Sequence, residues 1–184
     1  SILKGMISGR FLNYCRKDEE TLACQEFIKE IENRATKGDK REILYLLAEG
    51  LDSSSQALRQ TLLGLLVTKS KNLNIFSFDL LNIKCHTRIL KYLSSRNPLE
   101  YKEDFLKSCI LLLSECIQDL SSLHIDDFKK EEKLVSWKKV VSILKLFLSK
   151  NKEEDVKYAC CRIFQLLVKY EYFDDTVRRV WLTI

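Results

Sequence analysis

The sequence predicts an all-α fold, a stack of about eight or nine helices in antiparallel pairs. Three features predict it. Five glycines and a single proline serve 184 residues, far fewer turn formers than a sheet protein of that length needs. Apolar residues recur at helical spacing through most of the chain. The most apolar helical stretches centre near Leu62, Leu113 and Ile163, roughly 50 positions apart, as repeating units would be.

Taken in order, Ile2–Cys15 reads as a first helix weakened by Gly5 and Gly9. A second follows RKDEE, whose carboxylates suit the positive end of a helix dipole. It runs to about Ala35 and turns Leu22, Cys24, Phe27, Ile28 and Ile31 inward. Gly38 ends it and Asp39 starts the next, a short helix closed by Gly50. LDSSS supplies cap-forming residues, and QALRQTLLGLLVTKS continues as a strongly apolar helix to about Ser70. The linker KNLNIFSF tucks Ile75, Phe76 and Phe78 under its neighbours. Asp79–Ser94 reads as one helix. Asn97 followed by Pro98 marks another start, with Phe105, Leu106, Cys109, Ile110, Leu112, Leu113, Cys116, Ile117 and Leu120 on its apolar side. The polar stretch SSLHIDDFKKEEK is the longest expected loop, mobile over about residues 121–132.

The clearest helix pair spans Leu134–Tyr170. On a wheel of about 100° per residue, the first helix sets Trp137, Val140, Val141, Leu144, Phe147 and Leu148 opposite Lys138, Lys139, Ser142, Lys145, Ser149 and Lys150. The second carries Val156, Ala159, Cys160, Cys161, Ile163, Phe164, Leu166, Leu167 and Val168 over roughly two thirds of its circumference. Only Tyr158, Arg162, Gln165 and Lys169 form a polar strip. So wide an apolar arc has to be covered from more than one side. One half-exposed helix beside one enclosed helix is what a stacked repeat requires. After this pair, Asp174 caps a last helix through Val177, Val180, Trp181 and Ile184.

With the extra loops set aside, the unit is about 40–47 residues long, the size of HEAT and armadillo repeats. EEDVKYACCRIF resembles the second helix of a HEAT unit, with Asp155, Val156, Lys157 in place of Arg, and Ala159. SSSQALRQTLLGLL is similar, through Leu58-Arg59 and Leu63-Gly64-Leu65. FLKSCILLLSEC departs from the pattern, although Asp104 and Lys107 lie close by. The resemblance covers Asp39 to Tyr170. It implies a right-handed α-α superhelix that binds partners on an exposed face.

By length the 184 residues form one domain, of globular composition at 46% hydrophobic and 31% charged. The chain begins at Ser1 and its pattern stops in mid-helix at VRRVWLTI, which predicts a piece of a larger protein. The net charge of +5, from 31 basic and 26 acidic residues, is a small surplus rather than the dense footprint of a nucleic-acid binder. The seven cysteines are odd in number and several lie in apolar helical runs. They read as reduced, buried thiols of an intracellular protein, nuclear or cytoplasmic. LKSCILLLSECI is too short to span a membrane, and no membrane association is expected.

An enzyme is not expected either, and no cofactor or metal is implied. His86 follows Cys85 in a helix, where neighbours diverge too far to form a nucleophile pair. His124 beside Asp126 and Asp127 reads as a solvated loop. There is no CxxC, and Cys109 and Cys116 share the spacing of core positions. No Gly-rich phosphate loop, HExxH or GxSxG occurs.

Binding candidates remain. Lys138, Lys139, Lys145 and Lys150 line the outer side of one helix, led into by Lys129, Lys130 and Lys133. YEYFDD places Tyr170, Tyr172 and Phe173 at a helix end, ahead of Arg178, Arg179 and Trp181. The expected function is a protein-interaction scaffold of a multiprotein complex, receiving a partner's peptide or helix. Nucleic-acid binding through the lysine face is the alternative. Trp137 sits on the core stripe and offers no stacking platform.

Overall fold

The computed structural model describes residues 17–95, 102–120 and 135–169. These hold eight α-helices and one 3-10 turn, with no strand among the described residues. Contacts divide the chain into two compact units, Ser1–Cys85 and His86–Ile184. Each has its own packing.

In the first unit α1 (Lys17–Thr36), α2 (Lys40–Leu51) and α3 (Gln56–Lys69) each pack on the other two. The α1–α2 turn forms as its glycine predicts. Gly38 takes φ +70°, its N–H donates to Ala35 O and the Asp39 N–H donates to Arg34 O, both at 3.1 Å. These two bonds satisfy the orphan carbonyls at a helix end. Asp39 then caps α2 by accepting from the Glu42 N–H at 3.3 Å. Ser55 caps α3 through the Leu58 N–H and donates its own hydroxyl to Glu20 of α1 at 2.6 Å. One serine thus starts α3 and ties it to α1.

Three expectations about the helices fail between Lys17 and Leu93. Leu22 is 59% exposed, while Ala23 is buried with Cys24, Phe27 and Ile31. Positions 23, 27 and 31 follow one another by four and set the stripe, which leaves Leu22 on the opposite side. Gly50 does not close α2. It is buried in the last turn, where an added Cβ would run into Leu62 Cδ1 and lie 3.1 and 3.2 Å from the Phe27 ring. Its role is close approach, not termination. The expected Asp79–Ser94 helix is in fact two, α4 (Ser77–Asn82) and α5 (Cys85–Leu93). Lys84 interrupts it at φ 57°, its N–H bonded to Leu81 O. Left-handed backbone cannot continue a right-handed helix.

In the second unit α8 (Glu154–Lys169) packs against both α6 (Glu103–Cys116) and α7 (Trp137–Lys150). Val156, Ala159, Cys160, Ile163, Phe164 and Leu167 of α8 are buried, and Cys161, Leu166 and Val168 half-buried. The wide apolar arc is covered from two sides, as its width requires. On α6 and at the start of the turn after it, every expected core position from Phe105 to Ile117 is buried. Its start differs, however. Lys102 is extended at ψ 150° and α6 begins only at Glu103, so no continuous helix runs on from Pro98. A 3-10 turn, Ile117–Asp119, ends it. On α7 Val140, Val141, Ile143, Leu144 and Phe147 form the inner face. Trp137, at its first residue, is half-buried rather than central to the core.

Candidate functional site

The inner half of α7 is consumed by packing, so what the helix offers lies outside. Lys138, Ser142, Lys145, Leu146, Ser149 and Lys150 are exposed. At about 100° per residue, Lys138, Ser142, Lys145 and Ser149 fall within about 60° of one another. Leu146, 42% exposed, borders that line, and Lys150 follows it one turn on. The strip is about 18 Å long at 1.5 Å per residue. Both serine hydroxyls turn back on their own helix. Ser142 Oγ donates to Lys138 O at 2.8 Å and Ser149 Oγ donates to Leu146 O at 3.1 Å.

The helix WKKVVSILKLFLSK holds four lysines and no carboxylate. Lys138, Lys145 and Lys150 form no ion pair among the described residues. Two other lysines of the unit reach carboxylates. Lys107 reaches Glu153 at 2.6 Å and Glu103 at 3.7 Å, and Lys157 reaches Glu154 at 3.6 Å. The hydrogen bond to Glu153 raises the Lys107 ammonium above the ordinary lysine value, against the opposing effect of burial.

Lys139 departs from the expected lysine face. It is half-buried, and its Nζ donates to Ser95 O at 3.3 Å. Ser95 lies just past the end of α5, where carbonyls lack intrahelical partners and the helix dipole is negative. An ammonium is a natural partner there. Tyr170, Tyr172, Phe173, Arg178, Arg179 and Trp181 lie outside the described residues, as do the 121–132 loop, Lys129, Lys130 and Lys133.

The first unit carries a feature that sequence reading missed. Phe76 and Phe78, expected beneath their neighbours, are 48% and 47% exposed. Their rings lie near-parallel at 9°, with centroids 6.4 Å apart. Lys40 Nζ sits 5.1 and 5.3 Å from the two centroids and 2.8 Å from Asp79 Oδ2. Asp79 is buried and also accepts from the Phe76 N–H at 2.9 Å. One carboxylate therefore begins α4, anchors α2 and fixes the aromatic pair. The signal was present as a period of two: Ile75, Ser77 and Asp79 are buried while Asn74, Phe76 and Phe78 face water.

Beside α1 and α3 runs an open groove of about 500 Å³, lined by Cys24, Ile28, Ala57 and Thr61 among others. Burial, aided by the Glu20 carboxylate, pushes the Cys24 thiol up to about 11, so it stays protonated at neutral pH and is a poor nucleophile. Cys160 is pushed up to about 12, by burial first and then by Cys161. All six described cysteines are free, and only Cys161 is not fully buried. Cys85 and His86 are each 0% exposed. Among the described residues no group of three His, Cys, Asp or Glu gathers as a metal ion would need, and no helix is long and apolar enough to cross a membrane. Comparison with protein-family models, curated proteins and solved structures gives no match.

Proposed function

We propose that this chain is a non-enzymatic protein-interaction domain of the HEAT/armadillo-like kind, a superhelical scaffold serving a multiprotein complex inside the cell. In this reading the outer face of α7 meets a peptide or helix of a partner protein. One observation carries it: α7 exposes three lysines without carboxylate partners around a 42%-exposed leucine. Unpaired like charges repel one another and gain from an opposite charge brought by a partner. An apolar side chain in their midst gains from being covered. The rigid mounting supports the reading too, because a face backed by a packed inner side costs little entropy to present.

Nucleic-acid binding draws on the same lysines. Leu146 within the strip and the diversion of Lys139 to Ser95 weigh against it. Lysine-directed crosslinking of the full-length protein in cells, read by mass spectrometry, tests the proposal. Crosslinks from Lys138, Lys145 and Lys150 to one protein partner are expected. If those lysines join nothing while lysines on other faces do, α7 is only a solvated helix and the proposal falls.

A further inference from the structure

We propose that the α7 strip receives an acidic amphipathic helix, whose carboxylates pair with Lys138, Lys145 and Lys150 and whose apolar stripe covers Leu146. This rests on the scaffold reading above and gives the partner its chemistry.

Charge complementarity is the first argument. Lys40, Lys69, Lys107 and Lys157 each reach a carboxylate at 2.8, 3.3, 2.6 and 3.6 Å respectively. The α7 lysines have none on their own helix. The second argument is periodicity. Lys138 and Lys145 stand two turns apart, about 10.5 Å, and Ser142 and Ser149 repeat the same interval. A facing helix with carboxylates two turns apart keeps register with both lysines, whereas an extended strand, at about 3.3 Å per residue, does not.

The third argument separates a helix from a phosphate backbone. Phosphates are gripped by outward donors, serine hydroxyls among them. Here both hydroxyls are spent on helix carbonyls, so the serines act as small, flat steps between the lysines. Small residues let a second helix come close. Leu146, one step away, then supplies an apolar contact that nucleic-acid backbone would leave unmatched.

The test uses the full chain and a fluorescein-labelled helical peptide of about 18 residues, with glutamates two turns apart flanking a leucine stripe. A scrambled peptide of identical composition and a single-stranded DNA of about 20 nucleotides serve as comparison ligands. Anisotropy titrations should show the patterned peptide binding best. Lys138→Glu with Lys145→Glu should weaken it by about tenfold or more, and Leu146→Ser by about threefold. Lys139→Gln should stay within about twofold, since its ammonium is already engaged. Circular dichroism confirms that each variant is folded. Equal binding of the scrambled peptide overturns the helix register. Tighter binding of the DNA, lost on lysine reversal, overturns both this inference and the scaffold reading. No peptide binding, with in-cell crosslinks reaching a protein from the same lysines, sinks the acidic helix and leaves the scaffold reading standing.

Discussion

Replacing Gly50 by alanine should destabilise the first unit, although alanine is the better helix former. The new Cβ would meet Leu62 Cδ1 head-on and press on the Phe27 ring at 3.1 and 3.2 Å. Leu62 and Phe27 are 0% and 1% exposed, so neither side chain has an outlet. Overpacking of this kind costs about 1–3 kcal/mol, and with both neighbours enclosed the upper part of that range applies. Against it stands about 1 kcal/mol of helix propensity. The net expectation is a loss of about 1–2 kcal/mol. Gly64 is the internal control. It lies within α3, and a Cβ there meets nothing within 4 Å, so Gly64→Ala should gain about 0.5–1 kcal/mol. Urea denaturation followed by far-ultraviolet circular dichroism reads both. A third variant isolates the cause. Leu62→Ala should cost about 2–5 kcal/mol by itself, and adding Gly50→Ala to it should then be neutral or favourable, giving a coupling of at least about 1 kcal/mol. A Gly50→Ala protein as stable as the parent, or an undiminished penalty in the Leu62→Ala background, would refute the close-approach reading.

Lys40→Met removes the ion-pair partner of Asp79, whose side chain is only 5% exposed. The Lys40 side chain is 34% exposed, so the loss should be about 1–2 kcal/mol, below the figure for a fully buried pair; a denaturation midpoint equal to the parent's would contradict it. Leu22→Ala should change stability by less than about 0.5 kcal/mol, whereas Phe27→Ala should cost about 3–5 kcal/mol; thermal melts that reverse this order would return Leu22 to the core. Iodoacetamide on the native protein should label Cys161 well before Cys24 and Cys160, as peptide mapping would show. The two buried thiols also set a pH dependence. Their folded values lie above the ordinary 9.0, at about 11 and about 12, so their stabilising contribution is complete below pH 9 and falls as pH rises, because the unfolded thiols ionise first. The fall should continue to about 11 for Cys24 and about 12 for Cys160. Cys24→Ala with Cys160→Ala should flatten the alkaline slope, and an unchanged slope would assign it to other groups.

Helices were legible wherever one force dominated. The α6 and α8 stripes are so apolar that burial alone decides them, and Phe105, Ile110, Ile163 and Phe164 sit where their periodicity puts them. Gly38 and Ser55 were legible because the backbone at a helix end needs a left-handed residue or a side-chain acceptor. The misreadings occur where two forces compete. Leu22 outranks Ala23 in hydrophobicity, but the line through Ala23, Phe27 and Ile31 already fills the face. Gly50 looked like a stop because glycine often is one, and only the arrival of Leu62 from α3 shows what its missing side chain permits. Lys84 takes a left-handed conformation that nothing in its own side chain requires, so the α4–α5 break had no local signature.

For the candidate site the same distinction separates Lys139 from its neighbours. On a wheel it is one more outward lysine, and its sequence neighbours give no reason to separate it from Lys138. What diverts it is a carbonyl 44 residues earlier in the chain, unpaired because α5 has ended. Sequence pattern can assign a face, but it cannot see which tertiary acceptor removes a charge from that face. Removing Lys139 lowers the charge density of the strip and brings Leu146 into relative prominence. That shift moves the favoured partner away from a polyanion, which is bound in proportion to charge, and toward a surface that pairs a few carboxylates with an apolar stripe. In the reading proposed above, the basic helix is half of an amphipathic helix–helix contact rather than an electrostatic patch.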